Sequence, residues 1–180
     1  MRPFLAVSAL ALFAFTLPAG RAAQGQAAPS AGVLVHIQAS DGSDAGTALF
    51  RESRDGKTLS IALNLKNLPP GEHAVHIHAN PVCDAPDFKG AGGHFNPGNK
   101  QHGTLNPMGH HAGDMPENIT IGESHAGQTT FKVDYLTLAA GAPNSVLGHS
   151  IMVHEKPDDM KTDPTGNAGN RIACGIIPAQ

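Results

Sequence analysis

From residue 33 to the C-terminal end, apolar side chains recur at every second position in short bursts, and that rhythm admits β-strands and little else. In GVLVHIQ (32–38), Val33, Val35 and Ile37 share one face, while Leu34, His36 and Gln38 share the other. TALF (47–50) is a shorter candidate. In KTLSIALNL (57–65), Leu59, Ile61, Leu63 and Leu65 alternate with Ser60, Ala62 and Asn64. EHAVHIH (72–78) follows the NLPPG turn (67–71), where proline fixes φ and glycine frees it. NITIG (118–122) and QTTFKVDY (128–135) read as two strands across a turn at His125–Gly127, and GHSIMVHE (148–155) and RIACGII (171–177) complete the set. About eight short strands with Gly- and Pro-rich links predict an antiparallel sandwich or barrel of the Greek-key kind, with no repeat and no second domain. Three connections are long: 79–117, 136–147 and 156–170. The first is rich in His, Gly, Asn and Pro, the third in Asp, Gly and Asn, and both are built like loops that carry a site.

The first 31 residues have a different pattern. Arg2 precedes the apolar run FLAVSALALFAFTL (4–17), and small residues follow. That is the layout of a secretory signal peptide, expected over residues 1–22 with cleavage between about 20 and 28. The run falls short of the roughly 20 apolar residues of a membrane helix, so no stable membrane insertion is expected after its removal. A retained N-terminal anchor is the alternative. Residues 23–31 then form a flexible N-terminal segment, and 32–180 form the folded domain. Export places the chain in a periplasm, bacterial for preference, or outside the cell. There an even count of two cysteines, Cys83 and Cys174, suggests one disulfide.

Charge excludes one class of partner. The chain carries 12 basic and 15 acidic residues, a net of −3. Without Arg2 and Arg21 the net is −5, no basic cluster remains, and aromatics are only 4%. No nucleic-acid partner is expected. Histidine is the unusual component, with 11 copies, none before His36.

Strand parity sorts the histidines. On a strand, residues i and i+2 share a face about 6.5–7 Å apart, so two imidazoles there can converge on one metal ion. His76 and His78 meet that condition, with Val75 and Ile77 turned to the core. His73 has the opposite parity, faces inward and is not a ligand candidate. His-x-His alone is weak, because two solvated histidines give the same pattern. Further donors strengthen it. In GHSIMVHE, Ile151 and Val153 face inward and His154 faces out with Ser150 and Met152. The first long loop adds His94, His102, His110, His111 and Asp114. Histidine is the commonest side-chain metal ligand, and carboxylate suits zinc.

GEHAVHIH, GGHFNP, KQHG, HAGDMPEN, MVHEKPDD and TGNAGNRIACGII, in that order from about 32 to 177, closely resemble the copper/zinc superoxide dismutases. The resemblance implies an all-β fold, an eight-stranded antiparallel Greek-key β-barrel flattened like an immunoglobulin sandwich, with long metal-binding loops. It implies one copper and one zinc ion per subunit. Copper would be held by His76, His78, His94 and His154, and zinc by His94, His102, His111 and Asp114, with His94 shared. Imidazolate suits the shared place because it has a nitrogen on each side of a rigid ring, which would set the ions about 6 Å apart. Imidazole suits both metals, and the absence of a thiolate ligand argues against a soft copper-transfer site. The reaction implied is disproportionation of superoxide to dioxygen and hydrogen peroxide as copper cycles between Cu(II) and Cu(I), with His94 releasing copper on reduction and carrying a proton.

Other roles follow by the same resemblance. Arg171 would guide the small anion. Asp158 would accept a hydrogen bond from one copper ligand and one zinc ligand. Cys83 and Cys174 would pair, tying the first loop to the last strand. The match of HAGD selects His111 as ligand and leaves His110 a solvated neighbour; Asp159 is expected to be a solvated loop acid. The chain departs from many relatives in the short segment MKTDP after Asp159, where Lys161 is the main basic candidate and Asp163 opposes it. A homodimer is compatible with the resemblance, since dimer surfaces vary within the family. A dismutase-like metal-binding or copper-delivery protein without turnover is the alternative, although such relatives are expected to lose copper ligands or the arginine, and all are present here.

Overall fold

A computed structural model describes residues 32–179; the expected signal peptide and the segment 23–31 lie outside the described residues. The strands are β1 (Val33–Ala39), β2 (Asp44–Glu52), β3 (Leu59–Lys66), β4 (Gly71–His73), β5 (Val75–His78), β6 (Ile119–Ile121), β7 (Ala126–Val133), β8 (Ser150–His154) and β9 (Arg171–Ile176). Among the described residues the only helical element is a 3-10 turn at Lys89–Ala91. The eight expected stretches all form strands. The count rises to nine because EHAVHIH is divided at Ala74, whose N–H donates to the Lys156 carbonyl instead of a ladder partner. The turn before β7 also lies earlier than expected, closed by Gly122 N donating to Ala126 O at 2.9 Å.

Seven strands form one antiparallel ladder in the order β5-β8-β9-β1-β2-β3-β7, and β4 pairs with β6 in a small second sheet. The small sheet bridges the ladder's two edges. β4 runs into β5 through the single residue Ala74, while β6 turns tightly into β7. At that turn Gly127 lies so close to β6 that a Cβ there would stand 2.3 Å from the Thr120 carbonyl oxygen. The curled sheet therefore encloses a core. Val35, Ile37, Phe50, Ile61, Leu63, Leu65, Ile77, Phe131, Ile151 and Val153 fill it. Apart from Phe50 and Phe131, on strands whose inward face had no assignment, these are the inward positions that the alternation assigned. Each fully buried aliphatic side chain of this size stabilises the barrel by roughly 1.5–3 kcal/mol.

A second, smaller apolar cluster lies outside the barrel. Phe88, Ala91, Met152 and Cys174 pack there with Cys83. Met152 has the outward parity expected of it, yet it is fully buried, because the loop after β5 lies across that face. The Cys83–Cys174 disulfide, with Cα atoms 5.6 Å apart, ties this loop to β9.

Candidate metal centre

β5 is an edge strand, and its free edge would expose unpaired peptide groups. The loop after it folds back to satisfy them. Ile77 N donates to Gly113 O at 2.8 Å, Phe95 N to Ile77 O at 2.8 Å, and Ala79 N to Gly93 O at 2.9 Å. Only glycine fits at 113, since a Cβ there would lie 2.2 Å from the Ile77 oxygen. This pairing sets His94 opposite His78 and Asp114 opposite His76. Local sequence thus aims His76, His78 and His154 outward from β5 and β8, and the covering loop brings the other donors to them. The outward histidines are consequently not solvated: His76 is 0% exposed, His78 1% and His154 3%.

Two groups of donors result. Ligand atoms of His76, His78, His94 and His154 all lie within 4.8 Å of one another, as do those of His76, His94, His102 and Asp114. His111 joins the second group through Asp114. Around Asp114 Oδ1, the Nδ1 atoms of His94, His102 and His111 stand at 2.9, 3.0 and 3.3 Å. In the first group His78 Nε2 and His154 Nε2 are 3.3 Å apart. Four donors placed tetrahedrally around an ion at about 2.0–2.1 Å stand roughly 3.3 Å from one another, so both groups match the span of a metal-ligand set. The chemistry of the donor atoms also fits. His76 Nδ1 and His94 Nε2 are buried with no hydrogen-bond partner among the described residues, and the buried His102 Nδ1 has only the Asp114 carboxylate beside it. An unpartnered buried nitrogen is costly unless something coordinates it. His94 engages Asp114 through Nδ1 and leaves Nε2 unpartnered, and it is a member of both groups.

Asp158 lies behind both groups. His76 Nε2 donates to its Oδ2 and His102 Nε2 to its Oδ1, each at 2.9 Å. Each ring's remaining nitrogen is thereby directed at the metal groups. Gly166 makes room for this arrangement, since a Cβ there would overlap Asp158 Oδ1 at 1.8 Å.

The electrostatics of the two groups differ. Burial pushes His78 down to about 2, with the neighbouring His94 adding to the effect. Burial likewise pushes His94 down to about 4, reinforced by His76. Burial holds His154 well below its ordinary value and lowers His76, in which it outweighs the hydrogen bond to Asp158. On the other side, burial acts to lower His102, but its bonds to Asp114 and Asp158 prevail and raise it to about 9. Burial opposes ionisation of Asp114, yet donation from His102, His111, His94 and the Gly103 amide keeps its carboxyl well below the usual range.

Arg171 begins β9 beside His154 in the ladder register. Its Nη1 donates to Phe88 O at 2.6 Å and its Nη2 to Gly92 O at 2.5 Å, which locks the guanidinium between the disulfide loop and the turn before His94. It is half-buried.

Sequence reasoning placed these residues but missed several supports. Asp159, expected as a solvated acid, organises the third loop: it accepts from Lys161 N, Thr162 N, Thr162 Oγ1 and Asn167 Nδ2. The Thr162 hydroxyl and amide are the main causes that hold its carboxyl down at about 2. The xDxxT pattern at 159–162 is the signal for such a turn. Asp163, expected only to oppose Lys161, accepts from the His102 amide at 2.6 Å and lies 3.8 Å from His111 Nε2. His73 bonds through both ring nitrogens to the carbonyls of His154 and Pro69 at 2.8 and 2.9 Å, away from the donor groups. His110 is half-buried and packs edge-on against Tyr135.

Comparison with known proteins agrees with this geometry. The family described as copper/zinc superoxide dismutase (SODC) matches residues 44–177. A superoxide dismutase [Cu-Zn] of Aquifex aeolicus is 46% identical over 141 residues, covering 76% of this chain and 81% of that protein. A superoxide dismutase-like protein of Bacillus subtilis, YojM, is 39% identical over 141 residues, covering 76% of this chain and 71% of its own. Among solved structures, the Cu/Zn superoxide dismutase from Brucella abortus superposes with a TM-score of 0.67 at 30% identity, covering 82% of this chain and 99% of that one. A SOD-like protein from Bacillus subtilis does so with a TM-score of 0.76 at 38% identity, covering 81% and 98%. With its barrel, its two donor groups and these matches, the chain belongs to the copper/zinc superoxide dismutase family.

Proposed function

We propose that the protein is an exported superoxide dismutase, converting two superoxide anions and two protons to dioxygen and hydrogen peroxide. The observation that carries this function is the position of His94: it and His76 belong to both groups of donors, but Asp158 holds the outer nitrogen of His76, whereas His94 meets Asp114 of the second group through Nδ1 and leaves a buried, unpartnered Nε2 for the first. Copper is assigned to His76, His78, His94 and His154, and zinc to His94, His102, His111 and Asp114, one ion of each per subunit. When bound, copper supplies one-electron exchange with the substrate, and zinc supplies fixed positive charge.

The chain's own residues do the rest. Asp158 holds His76 and His102 by their outer nitrogens, so neither ring can turn away. Asp114 compensates the charge of the zinc side and gathers three imidazoles at one oxygen. Arg171, locked by two carbonyls, presents an oriented positive charge that attracts a small anion. His94 Nε2 has no hydrogen-bond partner and can accept a proton and return it. The disulfide and the second apolar cluster keep the covering loop on β8 and β9. Export is supported by the N-terminal apolar run and by the Cys83–Cys174 bond, which suits an oxidising compartment.

The test is to express the mature chain, load it with copper and zinc, quantify both and measure superoxide removal. Two stoichiometric metals with fast removal are expected. Two metals without removal would instead favour a metal-binding protein, the alternative that the name of the Bacillus subtilis relative keeps open.

A further inference from the structure

The connection between β7 and β8, residues 134–149, contributes no donor to either group. Both of its ends nevertheless reach the loop that carries them. At the start, Tyr135, the single tyrosine of the chain, donates its hydroxyl to the Asp114 carbonyl at 2.7 Å. At the end, His149 Nδ1 donates to the Ala79 carbonyl at 2.7 Å, and its ring lies over Phe95 with centroids 4.0 Å apart. Asp114 is the carboxylate of the zinc side. Ala79 follows His78 of the copper side, and Phe95 follows the shared His94, whose backbone faces that of His78.

The connection is itself rigidly mounted. Glu52 of β2 accepts from the Thr137 hydroxyl and from Leu138 N. Asn144 donates to the Tyr135 carbonyl at 3.0 Å, and Leu136, Leu138 and Val146 are buried in the barrel core. Each arm therefore transmits a fixed position from the barrel to the loop.

The reach of each arm is selective. The Asp114 carboxylate is already held by the amides of Gly103 and His111 at 2.8 and 3.0 Å. The Tyr135 hydroxyl holds the same residue's peptide, so side chain and backbone are gripped together. His149 clamps the two backbone segments that present His78 and His94, through the Ala79 carbonyl and the Phe95 ring.

We propose that the β7–β8 connection is a two-armed brace in which Tyr135 is a positioning residue for the zinc site and His149 a positioning residue for the copper site. The proposal rests on the metal assignment above. Tyr135→Phe removes one oxygen and keeps the ring, and in the copper- and zinc-loaded protein it is expected to speed zinc release to a chelator about tenfold, in line with the loss of an outer partner. The visible spectrum of cobalt placed in the zinc site should shift, while the Cu(II) electron paramagnetic resonance signal stays as in wild type. His149→Phe keeps the stack on Phe95, and with it the mounting of the shared His94, but removes the donor to Ala79 beside His78; it should change the Cu(II) hyperfine splitting with zinc release unchanged. His149→Asn restores a donor of similar reach and should return the Cu(II) signal towards wild type. Wild-type spectra and release rates in both phenylalanine variants would overturn the brace, and so would equal disturbance of both metals by each variant. If the wild-type chain fails to take up the two metals, the metal assignment falls, and the brace with it.

Discussion

In the group assigned to copper, three of four donors stand on strands β5 and β8, and no carboxylate belongs to the group. In the set assigned to zinc every donor comes from the loop, with His76 of β5 also within reach, and Asp114 stands at the centre of three imidazoles. Both sides are buried, but His78 and His102 shift in opposite directions. Desolvation dominates in His78, beside imidazoles and Arg171, and in His94, where the one carboxylate of Asp114 does not offset it, so both are held neutral. Desolvation is outweighed where two carboxylates face one imidazole, so His102 is held charged in the metal-free chain. A neutral imidazole with a free nitrogen is ready to coordinate, whereas a protonated one must first release its proton to the incoming ion. One residue type is thus prepared in two ways: one carboxylate partner leaves the buried His76 and His94 lowered, and two carboxylate partners raise His102.

The largest effect is expected where the two sides meet. His94→Ala removes a donor from both groups, so superoxide removal should fall by more than about 100-fold, beyond the 10–100-fold typical of losing an outer-shell partner. Metal analysis should show reduced copper and zinc together; loss of one alone would mean that His94 is not shared. Asp114→Asn separates the sides instead. Zinc occupancy should collapse while copper remains bound, read by metal content after dialysis, and equal loss of both would erase the distinction drawn above.

Arg171→Ile leaves both donor groups intact. Both metals should stay, turnover should slow by roughly tenfold or more, and its salt dependence should weaken, because the attraction of a substrate anion by local charge is lost. Unchanged activity and salt response would remove Arg171 from substrate guidance.

The smallest effect, and the sharpest on the comparison, is the pH dependence of the metal-free fold. His94 and His78 have folded values below the unfolded value of about 6.5, so their contribution is present above that pH and is lost as pH falls. His94 alone should cost on the order of 2 kcal/mol between pH 6.5 and pH 5. His102 lies above its unfolded value, so its contribution is full below about 6.5 and disappears as pH rises through about 9. Denaturant unfolding of the metal-free chain should therefore show a stability maximum near neutrality. A monotonic rise from pH 5 to pH 10 would contradict the raised value of His102.

Much of this molecule was legible in its residues. Alternation located all the strands, and parity separated His76, His78 and His154 from the inward valines and isoleucines. Motif resemblance supplied His94, His102, His111, Asp114, Asp158 and Arg171, for which no periodicity exists, because irregular loops carry no repeating geometry. Parity did not reveal what covers a face. Met152 was correctly turned outward, yet its burial depends on Phe88 and Ala91 arriving from more than 60 residues upstream. Asp159 and Asp163 looked alike as loop acids; backbone amides that only the folded chain brings near make one a turn-builder and the other a support for His102. Tyr135 and His149 gave no signal at all, since each acts on a carbonyl 21 and 70 residues away.

The residues alone thus determined the strand rhythm, the inward face of each strand and the inventory of donors, because these depend on steric and solvation preferences that act within a few positions of the chain. Tertiary structure decided which donors stand together, which imidazoles are held neutral or charged, and what fixes the arginine. Those properties depend on desolvation and on hydrogen bonds between segments far apart in sequence, and neither exists until the loops have closed over the barrel.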